Sequence, residues 1–477
     1  MTSSLPWGHK LRLLVAICHF GRKNLTYLRR IISAYQSLPF DVQIKVFSEA
    51  PKDLGKGVQV VVGLPSKHPW SLSFAHKPIF VSEAENYDLF LYSEDDILYT
   101  ERNILAFLRA VPDLAPDEIP GFLLYERDPH GTVWLTSFYG HWHWKPESVK
   151  RRGAYTIAEF SNAHSASYLL TQAQLKQAIA SNGFLREPHE GLYDLLCTAG
   201  TDPYTSCGFR KVICISALED FLIHHTPDRY THISVVTLAS LQEQITTLMD
   251  IRDGRRRGCA LFEIAPKFWH FWWQKDFYEK ARLEVLQMVP QQVRSVLSVG
   301  CGWGAIEESL EQRGANVIAL PLDSVIGAVA ARRGIKVVQG TWHECLASLG
   351  GQRFECVLLT DLLHLVPQPE AVLKQCAQFV GEHGSLVVTG PNFDRIPWLF
   401  KRTLGIGHFR KLRKFAESGI SVCGPLTLGN SMAESGLLVS GVQWVNHEIG
   451  RRWLGGRELA FGRLSARDWI LQARRAR

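Results

Sequence analysis

Three carboxylates stand side by side at Glu94, Asp95 and Asp96, directly after the apolar run of YDLFLYSEDDILYT. Adjacent carboxylates repel one another unless water or a divalent cation neutralises them, so the triplet reads as a Mg2+ or Mn2+ site. Such a cation keeps positions open for substrate phosphates and offsets charge developing on a leaving diphosphate. The plainer reading is a helix start, whose dipole favours acids. A second constellation lies in the other half of the chain. VLSVGCGWG sets Gly300, Gly302 and Gly304 between an apolar run and a helical pattern, where small residues let the backbone approach a bound nucleoside. A third feature, GHWHW from Gly140 to Trp144, is either a sugar-stacking platform or half-buried core.

Two sets of elements must position these residues. From Leu11 the pattern runs strand, turn, helix and strand through LRLLVAICHF, LTYLRRIISAYQSL and DVQIKVFSEA, followed by VQVVVGLP and the strand that ends in the acids. Acid at the carboxyl end of a strand in an open α/β sheet lies where ligands bind. The run from Glu190 through Cys197 reads as a helix, KVICIS as a strand with His224 and His225 soon after it, and Ile233 to Met249 as one helix. The count restarts at VRSVLSVG and continues through ANVIAL, KVVQG, FECVLLTD and GSLVVTG with helices between them, a doubly wound pattern. The expected fold class is therefore α/β in two domains, residues 10–250 and 291–477, joined by an aromatic helical linker over 251–290 that carries Trp269, Trp272 and Trp273.

At 477 residues with 46% hydrophobic and 21% charged residues, the chain is long enough for several cores, and wholesale disorder is excluded. A net charge of +7 is too diffuse for a dedicated nucleic-acid binder. The ten cysteines form no CxxC pair, which fits buried thiols in a reducing compartment better than disulfides or zinc. The apolar run Leu13 to Cys18 is too short for a signal segment, and no stretch approaches about 18 uncharged apolar residues, so a cytoplasmic protein is expected.

Taken in order over residues 10 to 232, SEDDI, HEGLYDLL, VICIS and IHH resemble the A-type (GT-A) nucleotide-sugar glycosyltransferases, in particular the inverting family related to cellulose and chitin synthases. The resemblance implies a mixed, largely parallel sheet. It implies Asp96 as metal ligand with His224 or His225 approaching from the far side, Glu94 and Asp95 on ribose or a metal-bound water, and Ile17, His19 and Arg22 beside the nucleotide. Glu190 would be the general base, with Asp194 as its substitute. The family's Glu-Asp pair is Glu190-Gly191 here, and Glu190 reads equally as a helix cap.

The second half, over residues 275 to 395, resembles class I S-adenosylmethionine (SAM)-dependent methyltransferases through VLSVGCGWG, IKVVQGTWHE, FECVLLTDLLHLVPQPEAVLKQC and GSLVVTGPN. The resemblance implies a Rossmann-like sheet and SAM held by Gly300, Gly302, Gly304, Asp323, Thr341, Trp342 and Asp361. Ser298, Pro321 and Thr341 stand where that family has acids; the second of these acids binds the ribose hydroxyls, and Asp323 is the nearest replacement. Asp361, His364 and His343 are possible bases. Lys401, Arg402, Arg410, Lys411, Arg413 and Lys414 are either a contact for anionic lipid or a solvated face. The expected function is metal-dependent transfer of a sugar from a nucleotide-sugar to a glycan or lipid-linked glycan, with SAM-dependent O-methylation. The alternatives are a methyltransferase with a carbohydrate-recognising N-terminal domain, and a non-enzymatic scaffold for glycan assembly.

Overall fold

The computed structural model describes residues 10–138, 140–264, 266–267, 273–445 and 463–475. They fall into two compact units, Met1–Asp253 and Gly254–Arg477. Trp269 and Trp272 lie outside the described residues. Over the expected linker at 251–290, the described residues hold the end of the helix Leu238–Arg252 and the helix Leu283–Met288, with no α-helix between them.

In the N-terminal unit β1 (Arg12–His19), β2 (Asp41–Ser48), β3 (Val58–Val62) and β4 (Leu89–Glu94) run parallel. β1 is buried on both faces, which is why its sequence is an unbroken apolar run. Two smaller sheets complete the unit. One has the order β5-β13-β7-β8, from β5 (Ile97–Leu98), β7 (Leu123–Arg127), β8 (Val133–Leu135) and β13 (Leu222–His225). The other has the order β6-β12-β10-β9, from β6 (Glu118–Pro120), β9 (Trp144–Arg152), β10 (Tyr155–Phe160) and β12 (Arg210–Cys214). β11 (Ser167–Thr171) returns to the main sheet and pairs antiparallel with β4, giving β11-β4-β1-β2-β3. After β1 the chain builds outward to β2 and β3 and then crosses back to the other side of β1 to form β4. That reversal opens a crevice between the carboxyl ends of β1 and β4. The register pairs Cys18 with Glu94, which sets His19 beside the acids.

The C-terminal unit is one seven-stranded sheet, β16-β15-β14-β17-β18-β20-β19. Its strands are β14 (Ser295–Cys301), β15 (Asn316–Pro321), β16 (Lys336–Val337), β17 (Phe354–Leu359), β18 (Val380–Pro391), β19 (Leu437–Val445) and β20 (Asp468–Arg475). β14 to β18 are parallel, and β20 inserts antiparallel between β18 and β19. The reversal here falls between β14 and β17, so the glycine turn and Asp361 face one crevice. No helix among the described residues is long and apolar enough to cross a membrane.

The helix Leu195–Thr205, which carries Asp194 at its start, is pinned from below. Asp202 is fully buried and ion-paired with Lys77, whose side chain is only 2% exposed. Removing one partner of such a pair leaves a buried charge unmatched. Lys77→Ala is expected to lower unfolding stability in a urea titration by about 3–5 kcal/mol, and Lys77→Met combined with Asp202→Leu to recover most of that loss.

Candidate functional site

Each unit gathers its polar chemistry at the crevice its sheet reversal creates. In the N-terminal crevice the acids are matched by the chain itself. His19 Nδ1 lies 2.5 Å from Asp95 Oδ2, and Asn24 Nδ2 donates to Asp95 Oδ1 at 2.6 Å and to Asp96 Oδ2 at 3.0 Å. Arg229 in turn donates to Asn24 Oδ1. His225 sits between two carboxylates: its Nδ1 is on Glu126, and its Nε2 is 3.5 Å from Asp96 Oδ2. Burial alone would lower its pKa, but Asp96 and Glu126 raise it to about 9, so it is an imidazolium at neutral pH. Glu94 goes the other way: burial, Asp96 and Asp95 push its pKa well above the carboxylate range.

This arrangement corrects several expectations. His224 and His225 are neighbours on one strand and point to opposite faces. His224 stacks on Tyr125 at 4.9 Å and lies 3.5 Å from Asp228, away from Asp96. Asp96, His224 and His225 therefore do not converge, and among the described residues no group of three or more His, Cys, Asp or Glu side chains could hold a metal ion. Ile17 is wholly buried inside β1, and Arg22 is exposed in the turn before the first helix. Glu190 is exposed in an irregular loop, not on a helix. The cap expected of it belongs to Asp194, whose Oδ1 accepts the Cys197 N–H at 2.9 Å.

Trp144 of the aromatic run is core, packed on Phe160 at 5.0 Å, whereas half-buried Trp142 lies 5.8 Å from Tyr193. Next to Tyr193, His164 faces Cys197 at 3.7 Å and is pulled down to about 4 by burial. Burial also brings Lys211 down to about 7. Sequence reasoning missed Asn24, Glu126, Arg229 and Lys211. Only GFRK before a strand hinted at the last of these; the others carry no motif.

In the C-terminal crevice Gly300 and Gly304 have φ of +74° and +90°, the left-handed region that glycine alone enters without strain. Gly302 has a different reason to be glycine: a Cβ there would lie 2.5 Å from the carbonyl oxygen of Phe277. Where an acid was expected at Ser298, one arrives from the following helix, because Ser298 Oγ donates to Glu307 Oε1 at 2.5 Å. Burial and Glu279 raise Glu307 to about 7.

Around this turn Lys275 Nζ donates to the Thr360 carbonyl at 2.8 Å and lies 3.3 Å from Glu279 Oε2. Arg282 Nη1 donates to Asp361 Oδ2 at 2.7 Å. Burial would raise Asp361, but Arg282 and Lys275 hold it at about 2. Buried polar atoms without a hydrogen-bond partner remain here at Glu279 Oε1, Glu307 Oε2 and His364 Nδ1, and Arg282 Nη2 faces Asp468 Oδ2 at 3.8 Å. Of the three possible bases, Asp361 is held in its ion pair, His343 is exposed on the next helix, and His364 is neutral, pulled to about 4 by burial. A 380 Å³ cavity opens beyond β18, lined by Asn392, Phe393, Arg402, Leu426, Trp444 and Trp469 among others.

These residues fit one end of SAM and not the other. The unpartnered Glu279 Oε1 and Glu307 Oε2 suit the ammonium of its amino-acid end. At the nucleoside end the Asp323, Thr341 and Trp342 groups are engaged within the chain, while Gln339 Nε2 is buried without a hydrogen-bond partner. Asp323 Oδ1 accepts the N–H groups of Val325 and Ile326 as a helix cap, Thr341 donates through N–H and Oγ to Glu344, and the Trp342 N–H donates to the Leu261 carbonyl.

A family model described as "Methionine biosynthesis protein MetW" matches residues 279–408. The chain is 35% identical over 112 residues to a "Ubiquinone biosynthesis O-methyltransferase" of Escherichia coli O127:H6, covering 22% of this chain and 46% of that protein. The same-named protein of E. coli O9:H4 is 33% identical over 125 residues, covering 25% and 51%. The chain thus spans about half the length of the curated relatives it matches. Among solved structures, a SAM-dependent methyltransferase from Archaeoglobus fulgidus aligns at 17% identity and TM-score 0.32, covering 41% of this chain and 92% of that one. Magnesium protoporphyrin IX methyltransferase from Synechocystis PCC 6803 aligns at 16% and 0.30, covering 41% and 81%. The family-model match lies wholly within the C-terminal unit.

His225 gives a pH signature. Its folded pKa lies above the unfolded value near 6.5, so its contribution to stability is complete below about pH 6.5 and is lost as pH rises through 9. In denaturant titrations wild type is expected to lose stability over that window, and the gap to His225→Gln, wide at pH 6, to narrow by pH 10.

Proposed function

We propose that the protein is a SAM-dependent O-methyltransferase whose N-terminal unit recognises a carbohydrate acceptor. The observation that carries this reading is the charged ring of Lys275, Glu279, Arg282 and Asp361 around the glycine turn, at the sheet reversal where α/β proteins bind ligands. The family-model match over 279–408 and the O-methyltransferase relatives support the chemistry. For the N-terminal unit, support comes from the hydrogen-bonding groups of the crevice between β1 and β4 and, separately, from the half-buried Trp142 beside Tyr193, whose ring face suits the apolar side of a sugar.

Sugar transfer from a nucleotide-sugar is the second reading. It is favoured by the buried, unpartnered Asp96 Oδ1 and His19 Nε2 in that crevice. It is disfavoured by His225 and Asn24, which already meet the charge a divalent cation would have met.

The acceptor's setting is suggested by the helix Ile396–Leu404. Ile396, Leu399, Phe400 and Leu404 are exposed on it at helical spacing, with exposed Lys401, Arg410, Lys411, Arg413 and Lys414 nearby. This combination suits an anionic lipid surface carrying a lipid-linked acceptor.

Calorimetry with S-adenosylhomocysteine is the first test. Binding is expected, and Glu279→Gln is expected to weaken it by about tenfold or more, as for a lost hydrogen bond to a charged group. Transfer of labelled methyl groups to a panel of glycan hydroxyls then tests the acceptor class. No methyl transfer, together with sugar transfer from any nucleotide-sugar, would move the assignment to the second reading. In a flotation assay the protein is expected to rise with phosphatidylglycerol vesicles and not with phosphatidylcholine ones, and Phe400→Asp to abolish the difference.

A further inference from the structure

The nucleoside end of the C-terminal crevice is closed by the chain's own backbone. Cys259 to Phe262 cross the carboxyl end of β15 as a short antiparallel strap, with Ala260 bridged to Asp323. The Leu261 N–H donates to the Leu322 carbonyl at 2.8 Å, and the Leu261 carbonyl accepts the Trp342 N–H at 3.1 Å. On the other side of the bridge the Ser324 N–H donates to the Cys259 carbonyl at 2.9 Å, and the Cys259 N–H to Ser324 Oγ at 3.2 Å. The Phe262 ring lies 5.1 Å from that of Trp342.

A purine base needs a flat apolar neighbour for its face and alternating donors and acceptors for its edge. Here the Trp342 ring offers the face, and the Trp342 N–H and Leu322 carbonyl offer the edge. The strap uses all three: Phe262 takes the ring, and the Leu261 amide groups take the donor and the acceptor. Leu261 itself is 3% exposed, so no room is left beside it.

We propose that Cys259–Phe262 is a built-in competitor for the nucleoside of SAM: closed, it fills the groove, and the cofactor enters only when it swings out. This rests on the reading of the C-terminal unit as SAM-binding. The strap is short, held by one bridged pair, four hydrogen bonds and the Phe262 ring contact. Outside it stand weak tethers, among them an exposed ion pair between Arg257 and Glu344 and a hydrogen bond from Arg256 to Gln339 at 3.0 Å. Because only the open fraction binds, the apparent affinity is reduced by that fraction, on the order of tenfold to a hundredfold for a few ordinary hydrogen bonds.

The test uses the full chain and calorimetry with S-adenosylhomocysteine. Arg256→Ala with Arg257→Ala, both removing only outer tethers, is expected to tighten binding by about tenfold. Ser324→Cys places a thiol opposite Cys259; oxidised, the strap is locked and binding is expected to vanish, returning on reduction. Hydrogen exchange at the Leu261 amide is expected to speed up when the ligand is added. Equal affinity in wild type, the tether variant and oxidised Ser324→Cys, with the disulfide verified by mass, would overturn the strap as competitor and leave the SAM reading standing. Absence of binding in wild type, the tether variant and reduced Ser324→Cys alike would overturn the SAM reading and the strap's role with it.

Discussion

A strand buried on both faces has only its ends for polar chemistry, and every charge brought there must be matched where it stands. That constraint shapes both units. β1 and β14 are buried along almost their whole length, and each hands the chain to a turn where charged groups crowd. In the first unit the matching is nearly complete: an imidazolium between Asp96 and Glu126, and an asparagine across Asp95 and Asp96, itself held by an arginine. A cation looked necessary from three adjacent acids, yet the fold brings its own from far along the chain. His225 is over a hundred residues from Asp96 in sequence but lies beside it in space, because β13 pairs with β5 immediately after the acids.

That distance marks the limit of what the sequence could say. The α/β class, the strands carrying the acids and the glycine turn with its helix were legible, because buried parallel strands and left-handed glycines leave local marks in composition and spacing. The partners were not legible. Nothing near Asn24, Glu126 or Arg229 marks them as the groups that satisfy Asp95, Asp96 and His225, since their meeting depends on which strands pair. Adjacent residues misled for a related reason. His224 and His225 look interchangeable in a string, but a strand sends them to opposite faces, and only one reaches the crevice.

The cap at Asp194 shows a milder version of the same limit. Both Glu190 and Asp194 precede a helical pattern, and either could begin it. Asp194 lies three residues before Cys197, the spacing at which a side chain reaches back to a free helix N–H, and its extended φ and ψ of −63° and 174° permit that bond. The helix therefore starts later than its apolar pattern suggests, and Glu190 is left in the loop.

The second crevice is asymmetric in a way that the first is not. At the nucleoside end most donors and acceptors are satisfied within the chain: Asp323 caps its helix, Thr341 and Glu344 satisfy each other, and Leu261 spans Leu322 and Trp342, with Gln339 Nε2 the exception. At the other end, Glu279, Glu307 and His364 each keep a buried polar atom without a hydrogen-bond partner. Such atoms carry a desolvation cost that a ligand with complementary groups would relieve. Attraction for a ligand is therefore concentrated at the charged end, while the nucleoside end resists it with bonds already made.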